Sequence, residues 1–247
     1  MNSQLEIAVD SPAGLAAAIQ GGADRIELCA ALEIGGLTAS AGMMVLAAES
    51  PVPVMALIRP APGSFELGLD EEGAALADIA SAREAGLAGV VIGASLADGR
   101  LDAAVLARLV EAAEGMEVAL HRAFDLVPDQ AEAIALCRRL GITRILTSGG
   151  APRAVDGLPR LREALRLSAG SPALMPGGGV RAETAAQLLT ALPGCDLHAS
   201  CAEPADPQAR LLELGFATPG LRVTSAEEIR RLKRAMADLQ QVTPHPR

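Results

Sequence analysis

GITRILTSGG (141–150) holds one complete beat of this chain. Gly141 stands where a helix should stop, RILTS (144–148) is a short apolar run, and Thr147, Ser148 and Gly149 close it. The same phrase, a glycine followed four positions later by Val, Ile or Leu, recurs at 86–90. It is the helix-to-strand turn of a βα unit. Working outward, equivalent runs stand at LEIAV (5–9), RIELC (25–29), VPVMALI (52–58), GVVIG (89–93), EVALH (117–121), PALMP (172–176) and DLHAS (196–200). Each run precedes a stretch that reads as helix: 12–20, 40–49, 70–85, 102–114, 129–140, 158–167, 182–192 and 225–239. Asp70, Asp129 and Ser225 supply helix start signals. Eight strand–helix units in 247 residues predict a single-domain α/β chain, a (β/α)8 TIM barrel spanning 1–247. Sites in that fold lie at the carboxyl ends of the strands, so those ends carry the functional reading.

Composition narrows the function classes. Net charge is −9 and aromatic residues make up 1% of the chain, with no Trp or Tyr, so nucleic acid is not an expected partner. Half the residues are apolar, yet no run approaches the ~20 needed to cross a membrane. The N-terminus lacks the basic region of a secretory signal, and a cytoplasmic address is expected. Cys29, Cys137, Cys195 and Cys201 form no CxxC and read as reduced thiols. The only lysine is Lys233 in the last helix, which excludes a strand-borne Schiff-base lysine and a Walker-type phosphate loop.

Two segments, 60–69 and about 201–221, are longer than a barrel needs and fall on the carboxyl side, where long loops act as lids or contact loops. The tail 242–247 reads as frayed, with His245 solvated.

Alternation along a strand aligns Glu6, Ala8 and Asp10, then Arg25, Glu27 and Cys29, then His198 and Ser200. Charged groups in apolar strands need partners. Arg59 and Arg122 at neighbouring strand ends are the cations expected for Glu6 and Glu27, either as a belt closing the barrel or as part of a site. His121, in HRAFD (121–125), and His198 are candidates for proton transfer or metal binding; Asp125 could orient a ring nitrogen or pair with Arg122. Gly177, Gly178 and Gly179 follow the seventh run and lead into a helix, a place where backbone amides converge on an anion. Ser200 and Ser148 close runs nearby and could donate to the same anion. For a soft metal, Cys29 is the candidate, whereas Met55 and Met175 read as core filler.

Seven strings, LEIAVDS (5–11), GGADRIELC (21–29), GGLT (35–38), IRP (58–60), HRAFD (121–125), RILTSGG (144–150) and MPGGGV (175–180), together resemble the CutC family, named for copper homeostasis. The resemblance covers about residues 5–200. It implies a cytosolic (β/α)8 barrel that self-associates into a homo-oligomer and has a link to copper. In the family, copper binding is attributed to two cysteines on the first two strands. The second corresponds to Cys29, and the first position holds Ala8. A lone thiolate holds Cu(I) poorly unless Met, His or another subunit completes the site.

Two functional expectations follow. The first is a CutC-type protein of copper homeostasis with Cu(I) at Cys29. The second is a lyase- or isomerase-type barrel enzyme acting on a small anionic substrate, phosphorylated or not, with Glu27 and His121 as its acid–base pair and Arg59 or Arg122 as its clamp.

Overall fold

The computed structural model describes residues 3–242; the tail residues 243–247, His245 among them, lie outside the described part. Every apolar run forms a strand: β1 Leu5–Val9, β2 Arg25–Leu28, β3 Val54–Leu57, β4 Gly89–Ile92, β5 Glu117–Leu120, β6 Arg144–Thr147, β7 Ala173–Pro176 and β8 Leu197–Ala199. They pair in parallel in the order β7-β6-β5-β4-β3-β2-β1-β8. A parallel bridge between Gly177 and His198 draws β7 to β8, so the sheet is a nearly closed (β/α)8 barrel.

The helices that follow are α1 Pro12–Gly21, α2 Ala41–Ala48, α3 Leu69–Glu84, α4 Ala103–Ala112, α5 Gln130–Leu140, α6 Leu158–Ser168 and α7 Ala182–Ala191. Their starts are written locally. The side chains of Ser11, Ser40, Asp102 and Asp129 accept hydrogen bonds from the first-turn amides of α1, α2, α4 and α5. Gly22 and Gly141 end α1 and α5 in the left-handed conformation. After β8 the chain makes an excursion, with β9 Ala202–Pro204, a short helix α8 Ala209–Glu213 and β10 Arg222–Thr224 antiparallel to β9, before the last helix α9 Ala226–Val242. The stretch expected to be a long loop is therefore a hairpin carrying a helical turn. No helix among the described residues is long and apolar enough to cross a membrane.

The two-residue period of the strands sorts the core into two parts. Ile7, Ile26, Ala56, Val90 and Leu120 point outward and pack with the helices. Cys29, Met55, Leu57, Val91 and Ala119 form a separate cluster inside the barrel. At the amino end of the strands the interior is ionic. Arg25 binds Glu6 (2.5 Å), Asp196 (3.2 Å) and Gln4 (3.0 Å), and Arg144 pairs with Glu117. This plug closes the bottom and leaves the Glu27 carboxylate above it, facing the mouth.

Gly89 opens β4 at a crowded point. A Cβ there would lie 2.3 Å from the Glu117 carbonyl oxygen and 2.3 Å from the Met55 methyl carbon. Backbone cannot yield as a flexible side chain does, so Gly89→Ala should destabilise the barrel by about 1–3 kcal/mol in urea unfolding. An unchanged midpoint would mean that β4 and β5 are not held this tightly.

Candidate functional site

At the carboxyl ends of the strands lies a cavity of about 930 Å³. Ala8, Glu27, Arg59, His121, Arg122, Asp125, Gly178, Gly179, His198 and Ser200 all line it. Cys29, Ser148 and Gly177 are not in its lining. Cys29 is buried in the cluster inside the barrel, Ser148 is buried under Arg122, and Gly177 is taken up by the bridge to His198.

The central feature is a chain of buried ionisable groups. Strand register sets Glu6 beside Arg25 on one side and His198 on the other. One Glu6 oxygen accepts from Arg25 Nε, and the other lies 2.9 Å from His198 Nδ1. Since a carboxylate only accepts, Nδ1 carries a proton, and Nε2 faces Glu27 Oε2 at 3.6 Å. Burial pushes the Glu6 carboxyl up, but the His198 hydrogen bond and the charges of His198 and Arg25 overcome it and bring it to about 2. Burial alone would lower His198; Glu27 and Glu6 reverse this, and the ring stands above its ordinary value. Burial dominates at Glu27 and raises it, even against the charge of His198. Both groups thus stand above their ordinary values and face each other in a cavity wall, an arrangement suited to proton exchange.

The cations expected for the two glutamates are therefore replaced. Arg25 and His198 hold them, while Arg59 and Arg122 are used elsewhere. Arg59 Nη1 donates to the carbonyls of Ile34 (3.1 Å) and Gly36 (2.8 Å). Arg122 Nε donates to Asp125 (2.7 Å), and its Nη2 to Ser148 Oγ (2.6 Å). Asp125 is fully committed: it accepts from Thr147 Oγ1, the amides of Ser148 and Gly150, and Arg122. Burial raises its carboxyl, yet the Thr147 and Gly150 donors and Arg122 outweigh it and hold it low. Asp125 thus ties the loop after β5 to the loop after β6, and it does not orient His121.

His121 sits against Gly93, where a Cβ would come within 2.1 Å of its ring. Its Nδ1 accepts from the Ala123 amide at 3.1 Å, which puts the ring proton on Nε2. Burial first, then the charge of Arg59, drives the ring down to about 3. His121 is a neutral hydrogen-bond donor at physiological pH, and the histidine next to Glu27 is His198.

Asp10 and Phe65 are among the lining residues to which the reading of strand ends gave no role. Asp10 lies just past β1, accepts from the Leu32 amide (3.2 Å) and lines the mouth. Phe65, in the loop after β3, lies between Arg59 (5.2 Å, guanidinium carbon to ring centre) and His121 (4.7 Å between ring centres). One signal was available, because the chain has only three Phe and no other large aromatic residue.

The residues around Cys29 do not fit a Cu(I) site. The thiol lies 3.5 Å from Glu27 Oε2, and burial together with the Glu27 charge raises it well above its ordinary value, against the thiolate form. Met55, the thioether in the same cluster, accepts from Arg144, and Met175 accepts from Arg25. No group of three His, Cys, Asp or Glu among the described residues is placed to hold a metal ion.

These ionisations predict the acid limb of stability. His121 is lowered from 6.5 to about 3, so its neutral form supports the fold above pH 6.5 and that support is lost as pH falls toward 3. Glu6 is lowered from 4.5 to about 2, and its contribution is lost between those values. As pH falls from 6.5 toward 4.5 the thermal midpoint of the wild type should therefore fall relative to that of His121→Gln, a window in which the raised Glu27 acts on both alike. Superimposable profiles between pH 6.5 and 4.5 would contradict these assignments.

The geometry has close company among known proteins. The CutC family model matches residues 3–203. A CutC family protein of Rhizobium meliloti (strain 1021) is 54% identical over 234 residues, covering 93% of this chain and 94% of its own. One of Caulobacter vibrioides (strain NA1000 / CB15N) is 45% identical over 238 residues, covering 95% and 97%. The crystal structure of the putative copper homeostasis protein CutC from Streptococcus agalactiae superposes with a TM-score of 0.76 at 26% identity, covering 80% of this chain and 98% of that one. With the motif strings, the barrel and these relatives in agreement over most of its length, the chain belongs to the CutC family.

Proposed function

We propose that this protein is a lyase- or isomerase-type enzyme that moves a proton on a small anionic, phosphate-bearing substrate bound in the barrel mouth. One observation carries the reading: the buried Glu27–His198 pair lines the same cavity as Arg59, a guanidinium only 9% exposed that pairs with no carboxylate among the described residues. A buried cation without a counter-charge is costly, and an anionic substrate would supply that charge. On the other side of the mouth Gly178 and Gly179, both at positive φ, lead into α7, and Arg181 and the exposed Ser200 line the cavity beside them. Loops after the seventh and eighth strands of this fold commonly hold phosphate.

In this reading Glu27 takes a proton from a substrate carbon, and the Glu27–His198 pair returns one to a neighbouring atom. Glu6 fixes the His198 tautomer so that Nε2 faces Glu27. The neutral His121 serves as a hydrogen-bond donor instead of the acid–base partner expected from its strand-end position. Incubating the protein in D2O with a panel of phosphorylated metabolites, with proton NMR as readout, should reveal a compound whose C–H exchanges. Glu27→Gln should slow that exchange by about 10²–10⁴-fold. Exchange at the wild-type rate in the variant would remove Glu27 from the chemistry.

A role in copper homeostasis rests on the name of the Streptococcus agalactiae relative and on the single thiol Cys29. The carboxylate next to that thiol and the engaged thioethers argue against Cu(I) there. An anaerobic Cu(I) titration against a competing chelator should give the same weak binding for wild type and Cys29→Ser. Tight binding lost in the variant would restore the copper reading.

A further inference from the structure

Arg59 is an incompletely used guanidinium held in a fixed orientation. Both Nη1 hydrogens are taken by the carbonyls of Ile34 and Gly36, which lock the plane of the group. Nη2 reaches only the Gly63 carbonyl, at 3.4 Å. Nε is buried and has no hydrogen-bond partner. The Nε–Nη2 edge, on which Nε–H and an Nη2–H lie parallel, therefore carries no hydrogen bond shorter than 3.4 Å. That edge is the two-toothed face that matches a planar carboxylate. Arg59, Phe65 and His121 also line a second, small cavity of about 140 Å³ that adjoins the mouth under the loop after β3.

We propose that Arg59 is a carboxylate clamp and that the substrate is accordingly a carboxylic acid, its carboxylate lying on the Nε–Nη2 edge of Arg59 beside Phe65. This deepens the reading of the mouth as an anion site and rests on it. The two anion-binding regions stand apart. Arg59 follows β3, the glycines follow β7, and three strands lie between them on either side of the eight-strand ring, so they face each other across the mouth. Glu27 on β2 and His198 on β8 flank β1, on one arc between them. A substrate that used both regions would carry a carboxylate at one end and a phosphate at the other, with its reacting carbon between. Phe65 stacks on the guanidinium and must shift for the anion to reach Nε.

The test uses the full chain and two probes, succinate for the carboxylate region and inorganic phosphate for the glycine region. Calorimetry should show succinate binding that weakens at least tenfold in Arg59→Lys, which keeps the charge and loses the fork. Phosphate affinity should be unchanged in that variant, and succinate should not displace phosphate. In the wild type, the Arg59 Nε–H resonance should move downfield with succinate and stay in place with phosphate; this readout decides the matter if Arg59→Lys fails to fold. Succinate binding that ignores Arg59→Lys, or an unmoved Nε–H signal, overturns the carboxylate clamp, and phosphate binding in the same experiment would leave the anion-site reading standing. Failure of both probes to bind the wild type overturns both.

Discussion

The carboxylate of Glu6, 1% exposed inside the barrel, is the group on which the rest of the interior depends. A carboxylate in that position is sustainable only with both oxygens satisfied, and each is satisfied by a different structural unit. Arg25 belongs to the ionic plug at the bottom, and His198 belongs to β8, whose contact with β7 is a single bridge. Glu6 thereby ties the seam of the barrel to its floor. It also decides the chemistry above. With Nδ1 committed downward, the remaining nitrogen of His198 faces Glu27. Removing Glu6 would release the ring, leave Arg25 with Asp196 as its one carboxylate among the described residues, and loosen the closure of the sheet.

The upper half of the interior is polar in a divided way. On one side Glu27 and His198 face each other in a cavity wall. On the other, Arg59 is held by backbone carbonyls, so its charge is not cancelled by a neighbour. Burial, and then the nearness of that charge, keeps His121 neutral. Asp125 cancels Arg122 instead, and with it braces two loops. One cation is spent on structure and one is left uncompensated, and the second marks where an anion would be stabilised.

The barrel was legible because its signals are local. Each strand is a short apolar run, and Ser11, Asp102, Asp129 and Gly141 mark helix boundaries where the residue type itself dictates the backbone. Most of the site candidates singled out from strand-end position do line the mouth. Pairing was not. Which cation meets Glu6 depends on the β1–β2 and β1–β8 registers, contacts between residues 19 and 192 positions apart, and no periodicity encodes them. The same limit set His121 in place of His198 as the partner of Glu27. The stretch 201–221 gave no strand pattern because its hairpin pairs only three residues a side, and Leu211, Leu214 and Phe216 on it remain exposed.

Everything proposed for the mouth requires His198 to be a proton-bearing ring held between two buried carboxylates. Nitrogen-15 NMR of the labelled histidines gives the tautomer and the titration of each ring. His198 should titrate above 6.5, with Nδ1 protonated throughout. A His198 ring that titrates at or below 6.5, or that carries its neutral proton on Nε2, would contradict that placement.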